Sequence, residues 1–291
     1  MTQMMKLFTS CLLLACLVGC NEPQPVTTLA NPAHKVASGE ERTYLFRYQI
    51  TNPQLTAVVS ASISVALPLS GDGQELLQVD SNLSYQRVSI EGSEQLTVAL
   101  GRLPALAQRQ LQLKVQVRTG EDRGAVVLTP GQRARYLQSE VLVERDDPAI
   151  SALAAKLQVK GNELATARAI YQWVQENLHY THNSPVAHGA KVALVQRSGD
   201  CTEYMHLVMA LARAAGIPAR AASGYVYTQN GVVNAADYHD WAELYLDGRW
   251  QLVDAQQQRF MEHEADYLTM QRGRPTARFS ITPVSLGIVM E

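Results

Sequence analysis

The sequence has few cysteines, and most of them lie at its N-terminus. Cys11, Cys16 and Cys20 fall within the first twenty residues, and Cys201 stands alone in the rest of the chain. The chain contains no CxxC pair and no cluster of histidine with cysteine, so a disulfide framework is excluded and a structural zinc site is not indicated. An unpaired thiol is a liability in an oxidising environment unless it is buried or used, which makes Cys201 a candidate functional residue.

The sequence also lacks a strong excess of either charge. Its 25 lysines and arginines nearly balance its 27 aspartates and glutamates, for a formal net charge of −2, and no basic run stands out. Proteins that bind nucleic acid present a basic surface to the phosphates, so nucleic acid is excluded as a partner. No acidic loop resembles a calcium site, and we expect neither a metal nor another cofactor.

A short apolar run marks the N-terminus. Leu7–Val18 follows Lys6, the one charged residue among the first twenty, and this run is too short to span a membrane. Such a run is typical of a secretory signal peptide. It ends in Leu17-Val18-Gly19-Cys20, which resembles the lipobox of bacterial lipoproteins.

The lipobox resemblance implies cleavage before Cys20 and attachment of palmitate and other acyl chains to that residue. Several acyl chains together anchor a protein firmly to a membrane. Asn21 follows the cysteine, which in lipoproteins favours the outer membrane. We therefore expect a lipid-anchored protein of the cell envelope that faces the periplasm.

Composition divides the chain into four predicted segments. Residues 1–19 are the signal peptide, and residues 20–39, rich in proline, threonine, asparagine and alanine, are a tether without apolar periodicity. Residues 40–146 are predicted to form a β-sandwich domain. Residues 147–291, which follow a shift in composition at Asp146-Asp147-Pro148, are predicted to form a second domain.

The β-sandwich prediction rests on apolar residues that alternate with polar ones, the pattern of strands with one buried face. The alternating residues are Tyr44, Phe46, Tyr48 and Ile50; Val59, Ala61, Ile63, Val65 and Leu67; and Leu111, Leu113, Val115 and Val117. Turn signals separate the runs at Gly71-Asp72-Gly73, Glu91-Gly92, Gly120 and Thr129-Pro130-Gly131. This spacing predicts an antiparallel β-sandwich of about 100 residues, a structural module or a surface for a protein partner.

Three helices are predicted in the C-terminal half, beginning after the N-cap residues Asp147, Asn162 and Asp200. In the third helix, Glu203 completes a capping box with Asp200, so Cys201 is the first residue inside the helix. The positive end of a helix macrodipole favours the thiolate, which is the nucleophilic form of cysteine.

A nucleophilic thiolate needs an oriented base, and a predicted hairpin supplies one. Asp247-Gly248 is a hairpin turn between two strand-like runs, one carrying His239 and the other Asp254. A tight hairpin places His239 near Gln256, with Asp254 diagonal to it and within side-chain reach. Because 239 and 254 differ by an odd number, we expect a register offset or a bulge to decide whether the two side chains face each other.

Residues 191–254 resemble the core of the transglutaminase-like superfamily of papain-like folds. The matching stretches are Arg197–Tyr204, Leu211–Arg220, Gly224-Tyr225, His239–Glu243 and Trp250–Asp254. The resemblance implies an α+β fold in which an N-terminal antiparallel β-sandwich precedes helices packed on an antiparallel sheet, so residues 147–291 are expected to be a transglutaminase-like catalytic domain. It also implies that Cys201 is the nucleophile, His239 the base and Asp254 the residue that orients the base. Asp240 departs from the family pattern, which most often has a small residue after the histidine.

Four other histidines are candidate functional groups. His179, His182 and His188 surround one loop, but their spacing fits no familiar metal-ligand pattern, so a solvated loop is favoured. His206, inside the cysteine helix, is predicted to be a helix-surface residue or a satisfied core residue rather than a second base.

Aromatic residues near the predicted site have less specific expected roles. Trp173 and Trp241 are predicted to belong to the core or to a pocket wall. An oxyanion hole would use the backbone N–H of Cys201 together with a second donor. Tyr180 is the candidate for that donor which the family resemblance suggests.

The resemblance implies acyl transfer through a thioester. Cys201 attacks an amide carbonyl of a peptide or protein substrate, and His239 protonates the leaving amine. Hydrolysis of the thioester, as in a protease or amidase, is favoured, and crosslinking by a transglutaminase is the alternative. A non-catalytic envelope binding or assembly lipoprotein stays open as a third interpretation.

Overall fold

The structure of the protein is a computed structural model that describes residues 39–90, 93–120, 123–181, 186–273 and 277–291. The predicted signal peptide, the lipidation site Cys20 and all of the predicted tether except its last residue lie outside these ranges. The turn signal Glu91-Gly92 and His182 also lie outside them. Within the described ranges, no helix combines the length and the apolar character needed to cross a membrane.

Strands make up most of the N-terminal half, and helices are concentrated in the middle of the chain. The strands are β1 (Glu40–Thr51), β2 (Val58–Ala66), β3 (Gln74–Ser81), β4 (Gln86–Ile90), β5 (Ser93–Leu103), β6 (Gln108–Thr119), β7 (His179–Tyr180), β8 (Ser198–Gly199), β9 (Ala219–Val226), β10 (Gly231–Val232), β11 (Tyr238–Leu246), β12 (Arg249–Asp254), β13 (Arg259–Phe260), β14 (Tyr267–Arg272), β15 (Phe279–Thr282) and β16 (Gly287–Met290). The helices are α1 (Pro130–Tyr136), α2 (Pro148–Leu157), α3 (Glu163–Asn177), α4 (Ala190–Gln196) and α5 (Cys201–Ala214).

Two sheets form the predicted β-sandwich. One has the order β10-β1-β6-β3, with β16 also paired to β1, and the other has the order β15-β2-β5-β4. The alternating residues that predicted the strands are buried in one shared core, with one exception. Val59 is 73% exposed because the register between β2 and β5 shifts between Val58 and Ala61, which interrupts the alternation.

The sandwich takes strands from both ends of the chain. β10 pairs in parallel with β1, β16 pairs antiparallel with the same strand, and β15 pairs antiparallel with β2. The predicted division of the chain at residue 146 stays a prediction, and strands from both sides of it share these two sheets.

A third sheet and four helices form the layer that carries the predicted catalytic residues. The antiparallel sheet has the order β13-β12-β11-β9-β14, and α5 packs against it between α2, α3 and α4. Nearly every residue of α5 is buried, because the helix has neighbours on all sides. The predicted α+β fold, a β-sandwich followed by helices on an antiparallel sheet, is therefore confirmed.

Helix ends follow the capping signals of the sequence. The predicted N-caps Asp147, Asn162 and Asp200 all accept hydrogen bonds from their helices. The interpretation of Thr129-Pro130-Gly131 as a turn was wrong, because Thr129 caps α1 in a capping box and Pro130 occupies its first position. Helix α4 was not predicted.

Candidate active site

Cys201 is the first residue of α5, as the capping box predicted. The Asp200 carboxylate accepts the backbone N–H of Thr202 at 2.9 Å, and the Glu203 carboxylate accepts the N–H of Asp200 at 3.0 Å. Gly199 is needed before this turn, because a β-carbon there would collide with the side chain of Glu203. The thiol therefore stands at the positive end of a long, buried helix.

The Glu203 carboxylate also holds the loop that precedes α4. The second oxygen of Glu203 accepts the backbone N–H of His188 at 2.7 Å. The side chains of His188 and His179 are exposed. In the part of the chain that the structure describes, no group of three or more histidine, cysteine, aspartate or glutamate side chains is placed to hold a metal ion.

His239 and Asp254 face each other on β11 and β12. His239 Nε2 lies 2.6 Å from Asp254 Oδ2, and both side chains are buried. The expectation that an odd difference in number needs an offset or a bulge was wrong. Opposite residues in this hairpin, such as Ala242 and Val253, always differ by an odd number, so the regular register already places the two side chains on one face.

Three further donors hold the Asp254 carboxylate. Tyr267 donates its hydroxyl to Oδ2 at 2.9 Å, while the backbone N–H groups of Gln256 and Gln257 donate to Oδ1 at 3.1 and 3.0 Å. Sequence reasoning missed Tyr267, because it lies on β14, across β9 and β11 from Asp254 in the sheet. No local pattern in the sequence marks that neighbourhood.

The charge state of His239 depends on both of its partners. Burial by itself lowers the pKa of His239, but hydrogen bonds to Asp254 and to Cys201 outweigh burial and raise it to about 10. Because Nε2 is engaged by Asp254, Nδ1 is the ring nitrogen left to face the thiol. The arrangement favours an imidazolium at neutral pH, placed between a carboxylate and a sulfur.

Aromatic rings surround the imidazole. The ring of Trp241 stacks on that of His239 with centroids 6.2 Å apart, and Tyr267 meets Trp241 edge-on at 4.9 Å. Trp241 is fully buried and forms the wall behind the site. Trp173 is only partly buried, and the guanidinium of Arg197 covers its ring at 4.4 Å.

Tyr180 lies beside the thiol. It belongs to β7, which pairs in parallel with β8 so that Tyr180 is opposite Gly199, two residues before Cys201. Partial burial raises the pKa of Tyr180, and negative charge at Cys201 and Asp200 raises it further. The side chain is 49% exposed. Its use as an oxyanion donor stays a prediction.

Asp240 and His206 occupy the other face of β11 from His239. Asp240 Oδ2 accepts the hydroxyl of Thr202 at 2.7 Å, next to the nucleophile in the sequence. His206 is a core residue, but it is not a satisfied one, because its Nδ1 has no hydrogen-bond partner among the described residues. Burial lowers the pKa of His206 to about 4, so its ring is neutral at physiological pH.

A family comparison matches this part of the chain. The model described as "Transglutaminase-like superfamily" matches residues 151–255, a range that contains Cys201, His239 and Asp254. These residues form a transglutaminase-like domain. Of the strands in the β-sandwich, only β10 lies within the matched range.

The chain is also similar in sequence to a distant relative. Uncharacterized protein ML0607 of Mycobacterium leprae (strain TN) is 25% identical over 131 residues, 39% of this chain. That match spans about half, 47%, of the relative's own length.

A solved structure shares the fold over most of the chain. The crystal structure of a candidate cysteine protease from Cytophaga hutchinsonii covers 87% of this chain and 90% of its own, with 20% identity and a TM-score of 0.59. The periplasmic domain of TgpA from Pseudomonas aeruginosa, bound to ethylmercury, is 20% identical over 80% of this chain and 95% of its own, with a TM-score of 0.40.

The contact between Tyr267 and Asp254 yields a test of the site. Tyr267→Phe removes one charge-assisted hydrogen bond from Asp254 and leaves the aromatic packing against Trp241. A hydrogen bond to a charged group contributes roughly 1.5–3 kcal/mol, and with about half of that transmitted to His239 we expect alkylation of Cys201 by iodoacetamide at pH 6.5 to slow by about four- to twelve-fold. Unchanged alkylation kinetics in a folded variant would show that Tyr267 does not position Asp254.

Proposed function

We propose that this protein is a thiol enzyme that hydrolyses amide bonds of peptides or proteins through a thioester at Cys201. One observation carries the proposal. The first residue of a buried helix is a cysteine in contact with His239, whose Nε2 lies 2.6 Å from the buried carboxylate of Asp254. Nucleophile, base and orienting carboxylate in this order of contact are the arrangement that thiol-based acyl transfer requires.

The first half of the proposed reaction forms the thioester. The Cys201 thiolate adds to the carbonyl carbon, and the backbone N–H at the start of α5, which has no partner within the helix, donates to the developing oxyanion. Tyr180 is the proposed second donor. The C–N bond then breaks as the His239 imidazolium gives its proton to the leaving nitrogen.

The second half regenerates the enzyme. Neutral His239 takes a proton from water, and the resulting hydroxide adds to the thioester carbonyl. The C–S bond breaks, the carboxylic acid leaves, and Cys201 returns as a thiolate beside the imidazolium. Asp254 keeps the ring in place throughout, with Tyr267 and the backbone of Gln256 and Gln257 holding the carboxylate.

Water is the proposed acyl acceptor. The fold is shared with a protein described as a candidate cysteine protease, which supports hydrolysis over transfer to a second amine.

We further propose that the enzyme acts in the cell envelope, lipid-anchored through Cys20 and facing the periplasm. The β-sandwich, which carries no comparable catalytic grouping among its described residues, is the proposed surface for a protein partner.

A product analysis tests this function. The full chain is incubated with a peptide library in ¹⁸O-labelled water containing dansylcadaverine as a competing amine, with Cys201→Ala as the matched control. We expect peptides with new C-termini that carry ¹⁸O, formed by the wild type only. Dansyl incorporation without new termini would assign crosslinking instead, and identical products from both proteins would favour the non-catalytic interpretation.

A further inference from the structure

A cavity of about 620 Å³ lies beside the proposed nucleophile. Its walls come from α5, from the start of β11 and from the segment 135–143 that follows the β-sandwich. Thr202 and Asp240 line it, and these residues directly follow Cys201 and His239 in the sequence. The cavity therefore lies next to the proposed nucleophile and base, although neither Cys201 nor His239 lines it.

Asp240 contributes a carboxylate to this cavity. Among the described residues, its carboxylate forms no ion pair, and its hydrogen bond is to the neutral hydroxyl of Thr202 at 2.7 Å. Three arginines line the wall, of which Arg135 is exposed and the other two are already in ion pairs. Arg213 binds Glu140 at 2.7 Å, and Arg220 binds Asp72 and Glu243, each at 2.6 Å.

His206 adds an unsatisfied polar group to the same cavity. It lies on α5 one turn after Thr202, is only 7% exposed, and its Nδ1 lacks a hydrogen-bond partner among the described residues. A buried polar atom without a partner is unfavourable unless a ligand or solvent satisfies it. Of the charged groups around His206, Asp240 acts on it most strongly.

The remaining walls suit an aliphatic chain. Met205 and Met209 line the cavity one helical turn apart on α5. Methionine side chains adapt to flexible apolar groups. Apolar walls that lead to an unpaired carboxylate and a neutral imidazole match a group with an alkyl stem and a cationic end.

We propose that this cavity binds an aminoalkyl side chain of the substrate, as in lysine, with its ammonium donating to Asp240 and His206. This inference rests on the proposed function and names the substrate class for the same site. It also gives Asp240, the residue that departs from the family pattern, a role in specificity.

Protection of Cys201 from iodoacetamide tests the pocket. The full chain is labelled at pH 6.5, and peptide mass spectrometry follows Cys201 separately from the other cysteines. The probes are the N-methylamides of Nα-acetyl-lysine, Nα-acetyl-norleucine and Nα-acetyl-glutamate, which differ in the charge of the side chain. We expect the lysine probe to slow labelling by about five-fold or more at a concentration at which the other two have little effect, because one ion pair accounts for such a ratio.

Two asparagine variants complete the test. Asp240→Asn keeps an acceptor for Thr202 and should abolish protection by the lysine probe. Asp247→Asn removes the same charge from the exposed turn at the far end of β11 and should leave protection intact. Three results would overturn the proposal that the cavity binds a lysine side chain. They are equal protection by the lysine and norleucine probes, stronger protection by the glutamate probe, and no protection by any probe. Slow labelling without any probe, unchanged by His239→Asn, would instead count against the proposed function.

Discussion

Replacing His239 with asparagine is expected to slow alkylation of Cys201 at pH 6.5 by about ten- to a hundred-fold, since a cysteine without a cationic partner ionises with a pKa of about 8.5. In the wild type, hydrogen bonds to Asp254 and Cys201 overcome the effect of burial and raise the pKa of His239 to about 10. The imidazolium is therefore present at pH 6.5 to stabilise the thiolate by charge. Asparagine cannot carry that charge.

The pH dependence of alkylation gives this prediction its signature. The difference in alkylation rate between wild type and His239→Asn should narrow as the pH rises above about 8.5, where an unassisted thiol ionises by itself.

The raised pKa of His239 also makes the free energy of unfolding depend on pH, because the protonated ring stabilises the folded protein. This stabilisation is fully present below the ordinary value of 6.5 and is lost as the pH rises through about 10.

Iodoacetamide labelling of the full chain at several pH values, followed at Cys201 by peptide mass spectrometry, measures the difference in alkylation rate and its dependence on pH. His263→Asn is a suitable control, because His263 is an exposed histidine whose left-handed backbone conformation asparagine tolerates. That variant should label like the wild type. Equal rates for wild type and His239→Asn at pH 6.5 would mean that no thiolate–imidazolium pair forms.

Replacing Glu243 with glutamine is expected to destabilise the fold by about 3–5 kcal/mol, the range for removing one partner of a buried ion pair. Glu243 is 0% exposed and contacts three arginines. Arg123 pairs with it directly, Arg220 lies at 2.6 Å and Arg272 at 3.2 Å. Glutamine would leave the positive charges of these buried side chains poorly balanced.

The cluster of Glu243 with its three arginines joins distant parts of the chain. Arg220 also binds Asp72, in the turn before β3, at 2.6 Å, and Arg123, which follows β6, also binds Glu264. Glu243 itself lies on β11, the strand that carries His239. Loss of its charge should therefore loosen both the sandwich turn and the strand of the proposed base.

The pH dependence of the free energy of unfolding distinguishes a contribution from the charge of Glu243 from one that is due to its packing. Burial raises the pKa of Glu243, but Arg220, Arg272 and Arg123 outweigh it and hold the pKa well below the ordinary 4.5. Its stabilisation is present above pH 4.5 and is lost as the pH falls further, so the gap between wild type and Glu243→Gln should shrink in acid.

Urea unfolding at pH 7 and at pH 3.5 measures that gap. Glu94→Gln is the matched control, because it breaks an exposed pair with Arg87 at the sandwich edge, a change that costs at most about 1 kcal/mol. If Glu243→Gln were no more destabilising than the control at pH 7, the cluster would contribute nothing to stability.

Local signals predicted where the candidate site residues lie in the fold. The Asp200–Glu203 capping box placed Cys201 at the start of its helix, and the Asp247-Gly248 turn brought His239 and Asp254 onto adjacent strands. Both arrangements depend on residues within one helix turn or one hairpin. Short-range hydrogen bonding therefore decides them, and it can be predicted from the sequence.

Contacts between distant residues could not be predicted in the same way. Tyr267 reaches Asp254 across two intervening strands, and Glu243 meets arginines from three separate segments. The strands β10, β15 and β16 are short and pair with strands that lie far earlier in the chain. No periodicity within a segment specifies such partners, because the tertiary fold alone brings them together.

Formation of an acyl-enzyme tests the central claim most directly. The full chain is mixed with cinnamoylimidazole, an activated acyl donor, then quenched in acid and analysed by intact mass and peptide mapping. The proposed function predicts that one cinnamoyl group is attached to Cys201 and that hydroxylamine removes it. This group should form more slowly in His239→Asn and should be absent from Cys201→Ala. A wild type that acquires no acyl group on Cys201, or acquires it as slowly as His239→Asn, would contradict acyl transfer by this site.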